Sequence, residues 1–147
     1  MAIRWQLTFD CADAGLLARF WALALGYVEA DPPGDFPTWD AWRRHHGVPD
    51  GEWTGPGKLR DPSGAGQSVG FLPVPEGKVV KNRLHIDVQV GGGRDAVAWE
   101  VRWPRVRAKA DELVAAGATE IATYDGADGR PDHVLMADPE GNEFCVV

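Results

Sequence analysis

Residues Ile3 to Asp10 (IRWQLTFD) alternate, with Trp5, Leu7 and Phe9 on one side and Gln6, Thr8 and Asp10 on the other. That period of two predicts a strand with one buried face. Asp13 stands where a helix cap belongs, and Ala14 to Leu25 follows with an apolar stripe of Leu16, Leu17, Phe20, Leu23 and Ala24. Gly26 suits the end of that helix, and Tyr27 to Ala30 reads as a short strand. Asp31 to Pro56 is an excursion with a short helix across Trp39 to His46. Lys58 to Arg60 and Ser68 to Val74 read as strands, divided by the turn Asp61-Pro62-Ser63-Gly64.

The second half starts the same series again. Arg83 to Val90 alternates, with Leu84, Ile86 and Val88 facing a helix and His85, Asp87 and Gln89 facing away. Gly91-Gly92-Gly93 reads as a flexible exit. A helix follows from Pro104 to Ala116, its stripe Val106, Ala110, Leu113 and Val114, and Gly117 ends it as Gly26 ends the first. Strands at Thr119 to Tyr124 and His133 to Ala137, the turn Asp138-Pro139-Glu140-Gly141 and a last strand to Val147 complete the series. Two Asp-Pro-x-Gly turns, two helix-ending glycines and two polar-faced first strands point to a duplicated module.

Composition narrows the class. The 147 residues are 44% apolar and 25% charged, the balance of a globular domain and not of a disordered chain. Fifteen basic against 22 acidic residues leave a net charge of −7, which argues against nucleic acid or an anionic membrane surface as partner. No apolar stretch is long enough to span a bilayer, since Leu16 to Leu25 is interrupted by Arg19. Two cysteines, Cys11 and Cys145, make no disulfide framework, so a cytoplasmic setting is expected. Seven tryptophans are many for this length, and indole lines pockets for flat organic ligands as readily as it fills cores.

Several segments together carry a resemblance: Asp13…Phe20-Trp21…Leu25-Gly26, Lys81-Asn82-Arg83-Leu84-His85-Ile86-Asp87-Val88, Gly117-Ala118-Thr119, and the ending Asp138-Pro139-Glu140-Gly141-Asn142-Glu143-Phe144-Cys145-Val146-Val147. The chain resembles the vicinal oxygen chelate superfamily of glyoxalases, bleomycin-resistance proteins and extradiol dioxygenases, most of all its actinobacterial glyoxalase-like branch. The resemblance covers the whole chain and implies an α+β fold. Two paired βαβββ modules, residues 1–76 and 80–147 of one domain, would form a curved mixed sheet with a concave cup and helices outside. It also implies a homodimer, because sheets of this family pair across chains and the Trp-bearing helices offer apolar surface.

Metal-using members of that superfamily hold a divalent ion such as Fe, Mn, Ni or Zn with four side chains, one from the first and one from the last strand of each module. Gln6 and His85 fall on the two first-strand positions. On the last strands the pattern departs: the first-module site falls near Phe71 or Leu72, where no carboxylate lies, and the second has Cys145 where Glu is expected. The candidate metal set is therefore Gln6, His85 and Cys145, an incomplete one, and a protein without a resident cofactor is expected. Asp10 and Asp87 would face the cup as a base or a cation-binding group. The basic run Arg102 to Lys109 reads as the solvated side of its helix. No Gly-x-Ser-x-Gly frame surrounds Ser68, and no residue earns a catalytic role.

Besides an assembly or interaction protein that uses the fold without a ligand, two functions stay open on these residues. One is a metal-independent binder of a planar or aromatic metabolite or antibiotic. Its ligand would touch His85, Asp87, Gln6 and Thr8 and be covered by the loop-borne indoles Trp39, Trp42 and Trp53. The alternative is a divalent-metal enzyme of glyoxalase, isomerase or ring-cleaving type that uses Gln6 and His85.

Overall fold

The computed structural model describes residues 3–49 and 57–147, so the Trp53 expectation lies outside the described residues. The chain divides into two compact units, Met1–Gly77 and Lys78–Val147. The architecture is mixed α+β, with one four-stranded mixed sheet in each unit and three helices. No helix among the described residues is long and apolar enough to cross a membrane.

The first unit runs β1 (Leu7–Cys11), α1 (Ala14–Leu25), β2 (Val28–Glu29), α2 (Trp39–His45), β3 (Lys58–Arg60) and β4 (Val69–Pro73). The second runs β5 (Asp87–Val88), α3 (Trp99–Ala115), β6 (Thr119–Asp125), β7 (Pro131–Ala137) and β8 (Glu143–Val146). Their sheet orders are β1-β4-β3-β2 and β5-β8-β7-β6. In both, the first strand pairs parallel with the last and the remaining pairs are antiparallel. The same chemistry builds both copies. Tyr27 N donates to the Ala22 carbonyl past Gly26 (φ 68°), and Ala118 N donates to the Leu113 carbonyl past Gly117 (φ 108°). Only glycine takes that left-handed position without strain, so both helices stop where the sequence places glycine. Both Asp-Pro-x-Gly turns close alike: Gly64 N donates to the Asp61 carbonyl and Gly141 N to the Asp138 carbonyl.

Asp13 caps α1 by accepting from Leu16 N at 2.9 Å. The buried side of α1 is Ala14, Leu17, Ala18, Phe20, Trp21 and Ala24, turned from the expected stripe so that Leu16 and Leu23 are partly exposed. Trp21 is the reason: the large indole goes inward and stacks on Phe9 at 5.1 Å, and Phe9 stacks on Phe71 at 5.7 Å. In the second unit Val106, Ala110 and Leu113 of α3 pack among Val134, Met136, Phe144 and Val146, all fully buried or nearly so.

The structure departs from four expectations. The first strands are shorter than their alternation: pairing begins at Leu7 and at Asp87, leaving Trp5 63% and Leu84 64% exposed. Alternation marks which side a residue takes, whereas a strand ends where its partner's hydrogen bonds end. Helix α3 starts at Trp99 and carries Pro104 inside it, losing only the bond that Pro104 N cannot make. Arg102 is not on a solvated side. It is buried, and its Nη2 lies 3.0 Å from Asp132 Oδ1 while Nη1 donates to the Asp132 carbonyl at 3.1 Å. Arg94 Nε reaches the same carboxylate at 2.9 Å, and His133 Nδ1 lies 3.0 Å from Oδ2. The Gly91 segment is correspondingly a fitted wedge and not a loose exit, since a Cβ there would meet Arg102 Cγ at 2.5 Å.

Candidate functional site

Each sheet has one face under its helix and one face open. In the first unit the helix side takes Cys11, Leu59, Val69 and Phe71, all buried. The open side therefore carries the alternate residues. Thr8 pairs with Gly70, and Gly70 pairs with Lys58, so the three form one row across the sheet. Gln6 Nε2 lies 3.4 Å from Thr8 Oγ1, and both side chains converge over Gly70, whose added Cβ would sit 3.1 Å from Thr8 Oγ1 and 3.6 Å from Gln6 Nε2. Beside this row opens a cavity of about 990 Å³, bordered by Trp5, Gln6, Lys58, Arg60 and Ser68. That size is in the range of small-molecule sites.

In the second unit the open face carries His85, Asp87 and Cys145. Asp87 pairs with Cys145 in the parallel register of β5 and β8. His85 Nδ1 lies 3.0 Å from Asp87 Oδ1, and both side chains are about half exposed. This bond leaves His85 Nε2 turned to other partners. Cys145 is a free, buried thiol, and burial pushes it up from its ordinary pKa, with the Asp87 carboxylate adding to the rise. Lys81 pairs with Glu143 on the same strand as Cys145 and holds that carboxyl below its usual range. Farther across the sheet, Tyr124 stacks on His133 at 5.2 Å.

The register shows which residues stand beside Gln6 and His85 on the last strands. Gln6 and His85 each stand two residues before the strand residue that pairs with the last strand, Thr8 opposite Gly70 and Asp87 opposite Cys145. With Gln6 taken as the counterpart of His85, Gly70 stands where Cys145 does, one or two residues before the Phe71 or Leu72 expected from the sequence. Phe71 faces the core, and Gly70 has no side chain to donate. Among the described residues, His85, Asp87 and Cys145 form a group whose donor atoms all lie within 4.8 Å of one another. Imidazole, carboxylate and thiolate suit a borderline ion such as Zn²⁺. The first unit adds one neutral amide, so the four-donor set implied by the resemblance does not fit these residues. Asp87, read from the sequence as a base, is the donor that was missed; its place opposite Cys145 is a fact of pairing.

The indoles of the excursion are engaged with their own segment. Trp39 Nε1 donates to the Ala30 carbonyl at 2.8 Å, Trp42 packs edge-on against Trp39 at 5.6 Å, and Trp42 stacks on His46 at 4.3 Å. Neither borders the cavity beside Gln6, whose exposed indole is Trp5. Trp5 was read as a core residue from its alternation with Leu7. Its proximity to Gln6 in sequence was the available signal.

No curated protein matches this chain. Among solved structures it is similar to a glyoxalase/bleomycin resistance protein/dioxygenase family enzyme from Burkholderia phytofirmans PsJN, at 17% identity over 96% of this chain and 94% of that one, with a TM-score of 0.56. It is also similar to a variant of the fosfomycin resistance protein FosX from Listeria monocytogenes, complexed with Mn(II) and 1S,2S-dihydroxypropylphosphonic acid (11% identity, 99% and 89% covered, TM-score 0.60). TioX from Micromonospora sp. ML1 is a third (14% identity, 99% and 97% covered, TM-score 0.51). At such identities the likeness is one of fold alone. The family model for the glyoxalase-like domain matches residues 6–147, and the chain belongs to that family, within the vicinal oxygen chelate superfamily.

Proposed function

We propose that this protein is a small-molecule-binding member of the glyoxalase-like family, holding a planar metabolite or antibiotic on its open sheet faces without a resident metal. The observation that carries this reading is Gly70. It stands at the last-strand position of the first module, where a donor side chain is needed and none exists. Gly70 instead lies buried beneath the Thr8 and Gln6 side chains, which are left to make the polar contacts with a ligand on this face. The contact residues of this reading are Gln6 and Thr8 in one module and His85 and Asp87 in the other. Trp39 and Trp42 are left out, because their rings serve their own cluster.

In this reading the protein acts as a cytoplasmic homodimer. Of the tryptophans on α1 and α3, Trp21 is buried, Trp99 bonds to the Pro131 carbonyl beneath Arg130, and Trp103 is part-exposed. Exposed Val79, Val80 and Leu84 supply further apolar area. A monomer at every concentration in light scattering removes the dimer from the reading.

Tryptophan fluorescence, titrated with a panel of planar metabolites and antibiotics, tests the binding function. A hit should weaken several-fold in Gln6→Ala or His85→Ala, the scale of losing about 1 kcal/mol of contact. If the panel leaves the fluorescence unchanged, or both substitutions leave a hit's affinity unchanged, the reading fails.

A second reading has its own observation, the convergence of His85, Asp87 and Cys145 within 4.8 Å. There the same three side chains would hold a Zn²⁺-like ion, which would supply Lewis acidity when bound. Stoichiometric metal in protein purified without a histidine tag, lost in Cys145→Ala, would favour it.

A further inference from the structure

The cavity on the first unit's open face has a charge that the whole chain does not. The protein carries a net charge of −7, yet the cavity is bordered by Arg4, Lys58 and Arg60 against Asp31 and Asp61. Both carboxylates are already occupied. Asp31 lies 3.7 Å from Arg60 Nε. Asp61 accepts from Ser63 N at 2.8 Å, Ser63 Oγ at 2.7 Å and Gly66 N at 2.7 Å, closing the turn between β3 and β4. Arg4 and Lys58 have no carboxylate within ion-pair distance among the described residues, and Lys58 is half-buried. A half-buried ammonium is stabilised by a counter-charge, and an anion brought into the cavity would supply one to Lys58.

The rest of the wall selects shape. Trp5 is 63% exposed and makes no ring contact with other described residues, so one indole face is open for stacking. The Gln6 amide also borders the cavity, lying with Thr8 over the buried Gly70 opposite Lys58. We propose that this cavity selects a flat aromatic acid, its anionic group between Lys58 and Arg4 and its ring against Trp5. The proposal rests on the small-molecule-binding reading above and adds the ligand's charge and class to it.

The test compares 2-naphthoate with 2-naphthamide, which share a ring system and differ in charge. Binding of each is measured by titration calorimetry on the whole protein, on Lys58→Gln and Arg4→Gln, and on Lys109→Gln as a control of equal charge change on α3. Circular dichroism checks that each variant is folded. The naphthoate should bind more tightly than the amide. Lys58→Gln or Arg4→Gln should each weaken it by about threefold, the size of one exposed ion pair, and leave the amide unchanged. Lys109→Gln should leave both unchanged, and about 0.5 M salt should remove most of the naphthoate's advantage.

Equal binding of the two compounds, or tighter binding of the amide, overturns the anion assignment while leaving the binding function standing. A naphthoate preference that survives both Lys58→Gln and Arg4→Gln overturns the placement. If neither compound binds at millimolar concentration the assignment also fails, and the wider panel then judges the binding function separately.

Discussion

Asp87 lies directly across from Cys145 in the parallel pairing of β5 and β8, and the corresponding pair in the first unit is Thr8 and Gly70. One duplicated position thus holds a thiol in one copy and no side chain in the other. The two copies share a backbone pattern and have parted in chemistry. The second keeps a compact set of donors, while the first keeps an open polar row beside a cavity.

Protein purified without a tag should hold far less than one equivalent of any divalent metal by inductively coupled plasma mass spectrometry. Gln6 adds only a neutral amide in the first module, and in the second the Cys145 thiol must lose a proton that burial and Asp87 both favour keeping. Added Zn²⁺ should bind weakly, and less in His85→Ala. A tightly held equivalent would shift the preference to the metal-enzyme reading.

Cys145 should be a slow thiol. Burial first, and the Asp87 carboxylate second, raise its pKa, so the thiolate becomes the main form only above the ordinary thiol range near pH 8.5. In a Cys11→Ser background, iodoacetamide should label it slowly at pH 7, with the rate climbing at alkaline pH. Asp87→Asn removes a negative neighbour and should move the profile to lower pH. An upward or absent shift would show that Asp87 does not act on the thiol.

Asp132→Asn should destabilise the protein by about 3 to 5 kcal/mol in urea unfolding, because it leaves Arg102 buried beside a neutral amide. Hydrogen bonds from Arg94, with His133 and the Arg102 charge adding to them, hold the Asp132 carboxyl well below the usual carboxylate range. A depressed folded-state pKa gives stability that is complete above the unfolded value, about pH 4, and is lost as pH falls below it. Wild type should therefore lose stability on acidification more steeply than Asp132→Asn, and parallel profiles would refute the assignment.

Two glycine substitutions should differ in origin. In Gly91→Ala the new methyl meets Arg102 Cγ at 2.5 Å, and the fixed, ion-paired Arg102 has little freedom to yield, so a loss of about 1 to 3 kcal/mol is expected. In Gly26→Ala there is open space but a φ of 68°, and the loss should be about 1 to 2 kcal/mol, from backbone conformation alone. Coupling with Arg102→Met should lower the first cost and leave the second unchanged.

Much of the fold is determined by the sequence itself, because its signals are local. Asp13 and Gly26 bound α1 at the residues where capping chemistry places them, and the two Asp-Pro-x-Gly turns close with the same hydrogen bonds. The duplication is legible for the same reason: caps, turns and alternation repeat in order, and the ending Asp138 to Val147 is recognisable as a family pattern. Tertiary structure alone decided the rest. Alternation puts Trp5 with Leu7 and Phe9, but β1 begins only at Leu7, where β4 begins to pair, and Trp5 is left at the cavity. Arg102 reads as solvated on its own helix, and becomes buried because Asp132, thirty residues later, supplies its counter-charge. The identity of the first module's last-strand position turned on a parallel register, which no spacing within one strand contains. A residue's side of a strand is local information; its partner across the sheet is not, and the site is built from partners.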